Sequence, residues 1–194
     1  MFGLIEDTAQ EEGDRLHQRV AENNGHLNTG FVGTPLLCPA LTKTGHHKTA
    51  VDLLLNEDYP SWLYSVNLGA TTIWERWNSY IAETGTFGDV SMNSFNHYSY
   101  GAIGQWLFTD ILGIRPVEFG YKSFMLAPKF GGGLTYAKGS FTSPHGKISS
   151  AWKLHDGKFT YDCTVPTNTT ATLKLPNGDI HTLVGGSYHF EINV

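Results

Sequence analysis

Up to about Gly113 the apolar positions recur at helical spacing and each run closes on a glycine, whereas beyond Pro116 they alternate every second residue. Leu16 and Val20, spaced i, i+4 in an otherwise polar stretch, predict a solvated outer helix from a cap at Asp7 to about Asn23. Thr34 ahead of Pro35 predicts an N-cap with proline in the first helical position, from which LLCPALTKT runs to a stop at Gly45. A short helix fits His46 to Asn56, and YPSW at 59–62 opens another that ends near Gly69. Ser94 or Asn96 is placed to cap HYSYGAIGQWLFTDIL, which Gly113 terminates. These are helices paired on short turns.

The second part reads KSFMLA, LTYAKGSFTS, KISSAWKLH, KFTYDCTV, TATLKLP, IHTLV and YHFEI, with SPHG, HDGK, PNGD and GGS among the separators. Short alternating runs between tight turns predict a small antiparallel β-sandwich. Asp156-Gly157 and Asn177-Gly178 are hairpin signals, because both central residues of a type I′ turn need positive φ. Gly131 to Gly133 reads as a bend; no Lys-Ser/Thr pair and no helix follow, as a phosphate loop would need. The expectation is an α+β chain in two parts, helical over 1–116 and sandwich over 117–194.

Composition narrows the partners. The chain has 194 residues, 40% of them hydrophobic and 13% aromatic, enough for a real core. With 13 Lys and Arg against 18 Asp and Glu it offers no basic stripe for phosphates, so nucleic acid is not expected. No apolar run approaches the roughly 20 residues that span a bilayer. MFGLIEDTAQEEGDRL shows neither a basic leader nor a cleavage site, so no membrane partner is expected and the cytoplasm is the expected compartment. Cys38 and Cys163 lie in segments of different character and suggest no disulfide framework.

The chemistry centres on GATTIWERWNSY, where Ala70-Thr71-Thr72-Ile73 disfavours a helix and leaves Glu75 on extended or irregular chain. In an extended segment Ile73, Glu75 and Trp77 share one face, with Trp74 and Arg76 on the other. A carboxylate beside an indole, with Arg76 near enough to favour ionisation, suits a general base or a sugar-hydroxyl acceptor. The plainer alternative is a Glu75–Arg76 ion pair beside two core tryptophans. In SMNSFNHYSYGAIGQW, His97 stands at a helix start, placed either to hydrogen-bond a substrate hydroxyl or Glu75, or to satisfy its own loop. The nine histidines show no metal-ligand spacing, and HExxH, CxxC and GxSxG are absent. No metal, cofactor or acyl-transfer chemistry is expected.

HLNTGFVGTPLL, LLLNEDYPSWLYSVNLGATTIWERWNSY, SFNHYSYGAIGQWLF and FGYKSFMLAPKFGGGLTYAKGSFTSPHGKISSAW are similar, in order and over nearly the whole chain, to the C-terminal part of bacterial α-L-rhamnosidases. The resemblance implies the end of an (α/α)6 catalytic barrel followed by a β-sandwich, and hydrolysis of rhamnose-containing carbohydrate with inversion. It implies that Glu75, the glutamate of TIWERW, is the general base and that His97, the histidine of NHYxYG, contacts rhamnose. Trp74 and Trp77 would wall the sugar site. Asn78 stands where the resemblance leads one to expect aspartate, and Gln105 where glutamate is common.

Family members carry their general acid on a segment upstream of these motifs, and no Asp or Glu before Glu75 sits in a matching context. The helical segments are also too few to close the ring. The reading that follows is a truncated α-L-rhamnosidase that keeps the base side and is not active alone. The alternatives are a non-catalytic carbohydrate-binding or accessory protein, or one subunit of a split glycosidase. Faces left open by an incomplete barrel predict a homo-oligomer or a complementing chain.

Overall fold

The computed structural model describes residues 8–194, so the expected cap at Asp7 lies outside the described residues. The chain divides into two compact units, residues 1–104 and 105–194.

In the first unit, α1 spans Ala9–Glu22 and is polar along most of its length, with Gly13 and Val20 as its buried positions. Gly13 sits mid-helix because a Cβ there would lie 2.2 Å from Thr44 Oγ1, so the end of the next helix can approach only a glycine. That helix, α2, spans Thr34–Lys43. Thr34 lies inside it rather than capping it: its hydroxyl turns back to the Gly30 carbonyl at 2.8 Å. α3, His47–Leu55, buries Ala50, Val51 and Leu53, and the fully buried Leu41 and Cys38 of α2 supply more of the same core. α4, Trp62–Asn67, has a side-chain cap, Ser61 Oγ accepting from Tyr64 N at 3.0 Å. Gly69 ends it at φ 84°, as the glycine pattern predicts.

Residues 70 to 79 are irregular, and a small hairpin follows, β1 (Tyr80–Ile81) with β2 (Thr86–Phe87). The long final helix begins later than its sequence suggests and is not uniform. A 3-10 turn over Ser99–Ala102 leads into α5, Ile103–Trp106, and then a π-helical turn over Leu107–Ile111. The π turn is an excursion with a partner: Arg115 donates to the Thr109 carbonyl at 2.7 Å and ion-pairs with the buried Asp110.

The second unit holds two four-stranded sheets. One joins β3 (Ile114–Pro116), β4 (Ser123–Leu126), β8 (Thr170–Lys174) and β9 (Ile180–Leu183) in the order β3-β4-β8-β9. The other joins β5 (Tyr136–Ser143), β6 (Gly146–His155), β7 (Lys158–Val165) and β10 (Gly186–Asn193) in the order β10-β7-β6-β5. Alternation places Ile148, Ser150 and Trp152 of β6 and Phe159, Tyr161, Cys163 and Val165 of β7 in the interior. Each of the seven expected strands forms, and β3 is an addition.

Pairing is antiparallel except for one ladder. β4 and β8 run parallel, Phe124 opposite Ala171 and Leu126 opposite Leu173, all four buried. Asp156 and Gly157 have φ of 49° and 73°, as a type I′ hairpin requires. At Asn177-Gly178 only Gly178 has positive φ, because Pro176 fixes its own φ and the turn closes as Leu175 C=O accepting from Gly178 N at 3.0 Å.

Candidate active site

The irregular segment 70–79 is held by the stretch from Phe95 back to Ser94 and on to His97, through backbone bonds that belong to no regular sheet. His97 N donates to Ile73 C=O at 2.8 Å, Glu75 N donates to Ser94 C=O at 2.8 Å, and Thr72 Oγ1 donates to Phe95 C=O at 2.5 Å. The two motifs singled out in the sequence are thereby stitched together. Glu75 completes a reciprocal pair: its Oε2 accepts from Ser94 N at 2.6 Å while its own N–H serves the Ser94 carbonyl. A bond this short to a carboxylate is charge-assisted and orients the group. Oε1 makes no hydrogen bond among the described residues. Glu75 is 8% exposed.

The ion pair with Arg76 suggested by sequence adjacency gives way to other partners. Arg76 Nε donates to Met92 C=O at 2.7 Å, and its Nη2 meets Asp89 Oδ2 at 3.4 Å. Asp89 is held below the ordinary carboxylate range chiefly by its hydrogen bonds from Ser91, with Arg76 adding to them. The alternating arrangement is also corrected. Trp74 and Glu75 are neighbours in sequence and both are buried, whereas Ile73 is 39% exposed, because irregular chain does not alternate faces.

Trp77 donates through Nε1 to Thr29 C=O at 3.1 Å and stacks on Tyr100 with ring centroids 3.7 Å apart. Trp62 meets Trp77 edge-on at 5.3 Å and donates through Nε1 to Tyr100 C=O at 2.9 Å. Trp74 packs edge-on against Phe95 at 5.3 Å. Trp62, Trp74, Trp77 and Tyr100 wall a pocket of about 260 Å³, together with Ser65, Val66, Ala70 to Ile73 and Arg76. Aromatic walls with a few polar groups suit a sugar, whose C–H face is apolar and whose edge is not. Glu75 and His97 do not line this pocket, so the structure groups Trp74 with Trp77 there and ties Glu75 to the His97 segment instead.

His97 stacks on Phe31 at 4.9 Å and on Tyr98 at 5.2 Å, and its Nδ1 lies 3.4 Å from Ser99 N, a long contact at the start of the 3-10 turn. Sequence reasoning missed Trp62 and Tyr100 as walls of the pocket and Phe31 as the ring stacked on His97. The signal was present in their aromatic character, but nothing in their spacing tied them to Glu75. Among the described residues no group of three or more His, Cys, Asp or Glu side chains is placed to hold a metal ion.

An aromatic pocket walled by α4, the irregular 70–77 segment and Tyr100, with an oriented carboxylate near it and two β-sheets later in the chain, fits a glycoside hydrolase built on helices. Residues 1–111 match the family model of the bacterial α-L-rhamnosidase six-hairpin glycosidase domain, and residues 113–190 match that of the bacterial α-L-rhamnosidase C-terminal domain. The chain belongs to the bacterial α-L-rhamnosidase family. An α-L-rhamnosidase of Formosa agariphila is 43% identical over 180 residues, covering 93% of this chain and 19% of that protein. One from Streptomyces avermitilis is 45% identical over 176 residues, covering 90% and 17%.

Solved structures agree. The Streptomyces avermitilis α-L-rhamnosidase complexed with L-rhamnose superposes with a TM-score of 0.88 at 37% identity, over 95% of this chain and 20% of that one. The Aspergillus terreus enzyme gives 0.91 at 35% identity, over 96% and 22%. The chain therefore spans about a fifth of the length of the relatives it matches.

Proposed function

We propose that these 194 residues supply the general-base side of an inverting α-L-rhamnosidase site and need a general acid from outside them to hydrolyse a rhamnoside. Glu75 is the base, and His97, Trp74 and Trp77 contact the rhamnose. The observation that carries this reading is the clamped carboxylate. Ser94 N holds Oε2, and Oε1 remains to take a proton from water. That water attacks the anomeric carbon while an acid on the other face of the ring protonates the departing oxygen, with about 6.5–9.5 Å between the two carboxyl groups.

A graft tests it. These residues replace the segment they match in the Streptomyces avermitilis relative, and rhamnose release from a rhamnosyl disaccharide is measured. The graft is expected to turn over, and Glu75→Gln in the graft to lose roughly 10²- to 10⁴-fold in kcat, the usual weight of general base catalysis. A folded graft in which Glu75→Gln keeps its activity would refute the assignment.

The aromatic pocket also favours a second reading, retention of carbohydrate without turnover, as in an accessory binding protein. Titration of the 194-residue polypeptide with L-rhamnose, followed by tryptophan fluorescence and compared with Trp77→Ala, tests the sugar contact both readings share, and the graft assay separates the two. Saturable binding lost in Trp77→Ala, in a graft that Glu75→Gln leaves unimpaired, would favour the binding module.

A further inference from the structure

We propose that Arg76 and Asn93 are positioning residues for the general base, which act without touching a reacting atom by fixing the peptide whose N–H clamps Glu75. This deepens the proposed function and rests on Glu75 being the base. The clamping N–H belongs to the peptide that joins Asn93 to Ser94, and neither that segment nor residues 75–79 lie in a helix or strand whose ladder would hold it. Three consecutive residues are tied to residues 75–79 instead. Met92 C=O accepts from Arg76 Nε at 2.7 Å, Asn93 Nδ2 donates to Ser79 C=O at 2.9 Å, and Ser94 N meets Glu75 Oε2 at 2.6 Å. Arg76 thus fixes the peptide before the clamp, and Asn93 fixes the Cα from which the clamping peptide starts.

The anchor at Ser79 is itself held. Ser79 is fully buried, its N donates to Arg76 C=O at 3.3 Å, and its Oγ accepts from Arg76 N at 3.2 Å. Gly88 N is a second donor to the Ser79 carbonyl at 3.0 Å, and a Cβ on Gly88 would lie 2.6 Å from the Asn78 carbonyl oxygen, so only glycine lets the chain come this close.

The other contacts of these two side chains are weaker. The Arg76–Asp89 pair is 3.4 Å long between side chains 38% and 47% exposed, and an ion pair of that kind contributes little to stability. The firm bond of the guanidinium is the one from Nε to the Met92 carbonyl. Asn93 Oδ1 is buried and makes no hydrogen bond among the described residues, which is unfavourable for a polar atom, so Nδ2 is the end of the side chain that has a use. Arg76 also lines the aromatic pocket, and the test has to separate that contact from positioning.

Side-chain length supplies it. Glutamine has its Nε2 donor where arginine has Nε, and methionine has the same reach with no donor, so Arg76→Gln keeps the bond to Met92 and loses the charge, while Arg76→Met loses both. In the 194-residue polypeptide, exchange of the Ser94 amide, followed by mass spectrometry with single-residue fragmentation, should quicken about tenfold or more in Arg76→Met and in Asn93→Ala, and recover in Arg76→Gln. In the graft the same two variants should lower kcat about tenfold or more with KM within about twofold, and Arg76→Gln should regain most of that loss. Equal damage from Arg76→Gln and Arg76→Met would mean that the charge or a substrate contact matters instead, which overturns the proposal. So does a rise in KM in place of the fall in kcat, or a Ser94 amide that exchanges as in the parent. Where Arg76→Met does not fold, Asn93→Ala carries the same readings; if neither folds, the ties are structural and the proposal falls. Should Glu75→Gln leave the graft active, the base reading is lost, while Ser94 exchange still reports whether Arg76 and Asn93 hold the clamp.

Discussion

The Ser94 N–H that clamps Glu75 belongs to the backbone, so a change of side chain leaves it in place and proline is the substitution that removes it. Glu75 N still has the Ser94 carbonyl in Ser94→Pro, which keeps the two segments tied while the carboxylate loses its orienting donor. In the grafted enzyme Ser94→Pro should lower kcat by roughly 10²-fold with KM little changed, the scale of a misaligned catalytic group. A matched rise in KM, or a lowered melting temperature, would mean that the loop rather than the carboxylate had been disturbed. Arg76 shows the same principle from the other side. Adjacent in sequence to Glu75, it spends its guanidinium on Met92 and Asp89, because irregular backbone aims neighbouring side chains independently.

At the scale of elements, the glycine stops were legible and their differing weight was not. Gly113 and Gly157 share a φ of 73°. A Cβ on Gly157 would meet Val194 O at an ordinary 3.6 Å, while one on Gly113 would lie 2.1 Å from the Ala127 carbonyl carbon. Gly157→Ala should therefore cost about 1 kcal/mol, the left-handed strain alone. Gly113→Ala adds a backbone clash and should cost more than about 3 kcal/mol or prevent the β unit from folding, as thermal unfolding would report.

The cysteines obey a similar logic of neighbours. Burial pushes the Cys38 thiol up from its usual 9.0 to about 12, and burial chiefly does the same for Cys163. The folded chain thus holds both thiol protons more tightly than the unfolded chain. Their stabilising effect is complete below about pH 9 and is lost as pH rises towards 12. Stability should fall over that window, less steeply in Cys38→Ala relative to its own neutral-pH value. Neither thiol should react with a disulfide reagent near about pH 8 until the chain unfolds.

For the molecule as a whole, the proposed function says what these 194 residues should do by themselves. With the general acid outside these residues, as proposed, the isolated polypeptide should release no measurable rhamnose from a rhamnosyl disaccharide, because leaving-group protonation alone is worth roughly 10²- to 10⁴-fold. Val32, Val90 and Tyr98 stand exposed among the described residues, so light scattering should show a dimer or larger species, reduced in Tyr98→Asp. Robust release that vanishes in Glu75→Gln would show instead that these residues contain their own acid. A monomer in light scattering would contradict the expected association.

The sequence by itself determined the helical and alternating parts, the strands and most of the stops, because these depend on local spacing and on which residues tolerate a given φ. The family resemblance it carried is borne out by the family match, while Glu75, His97, Trp74 and Trp77, the candidates that resemblance named, belong to the proposed function. Only the tertiary structure decided the parallel pairing of β4 with β8, whose residues lie on either side of the second sheet's first three strands. Alternation says which face of a strand is apolar and nothing about which strand lies beside it. The same limit held at the site. That Ser94 clamps Glu75, that Arg76 turns away, and that Trp62 and Tyr100 join the two tryptophans are long-range contacts, fixed by packing between segments that no periodicity connects.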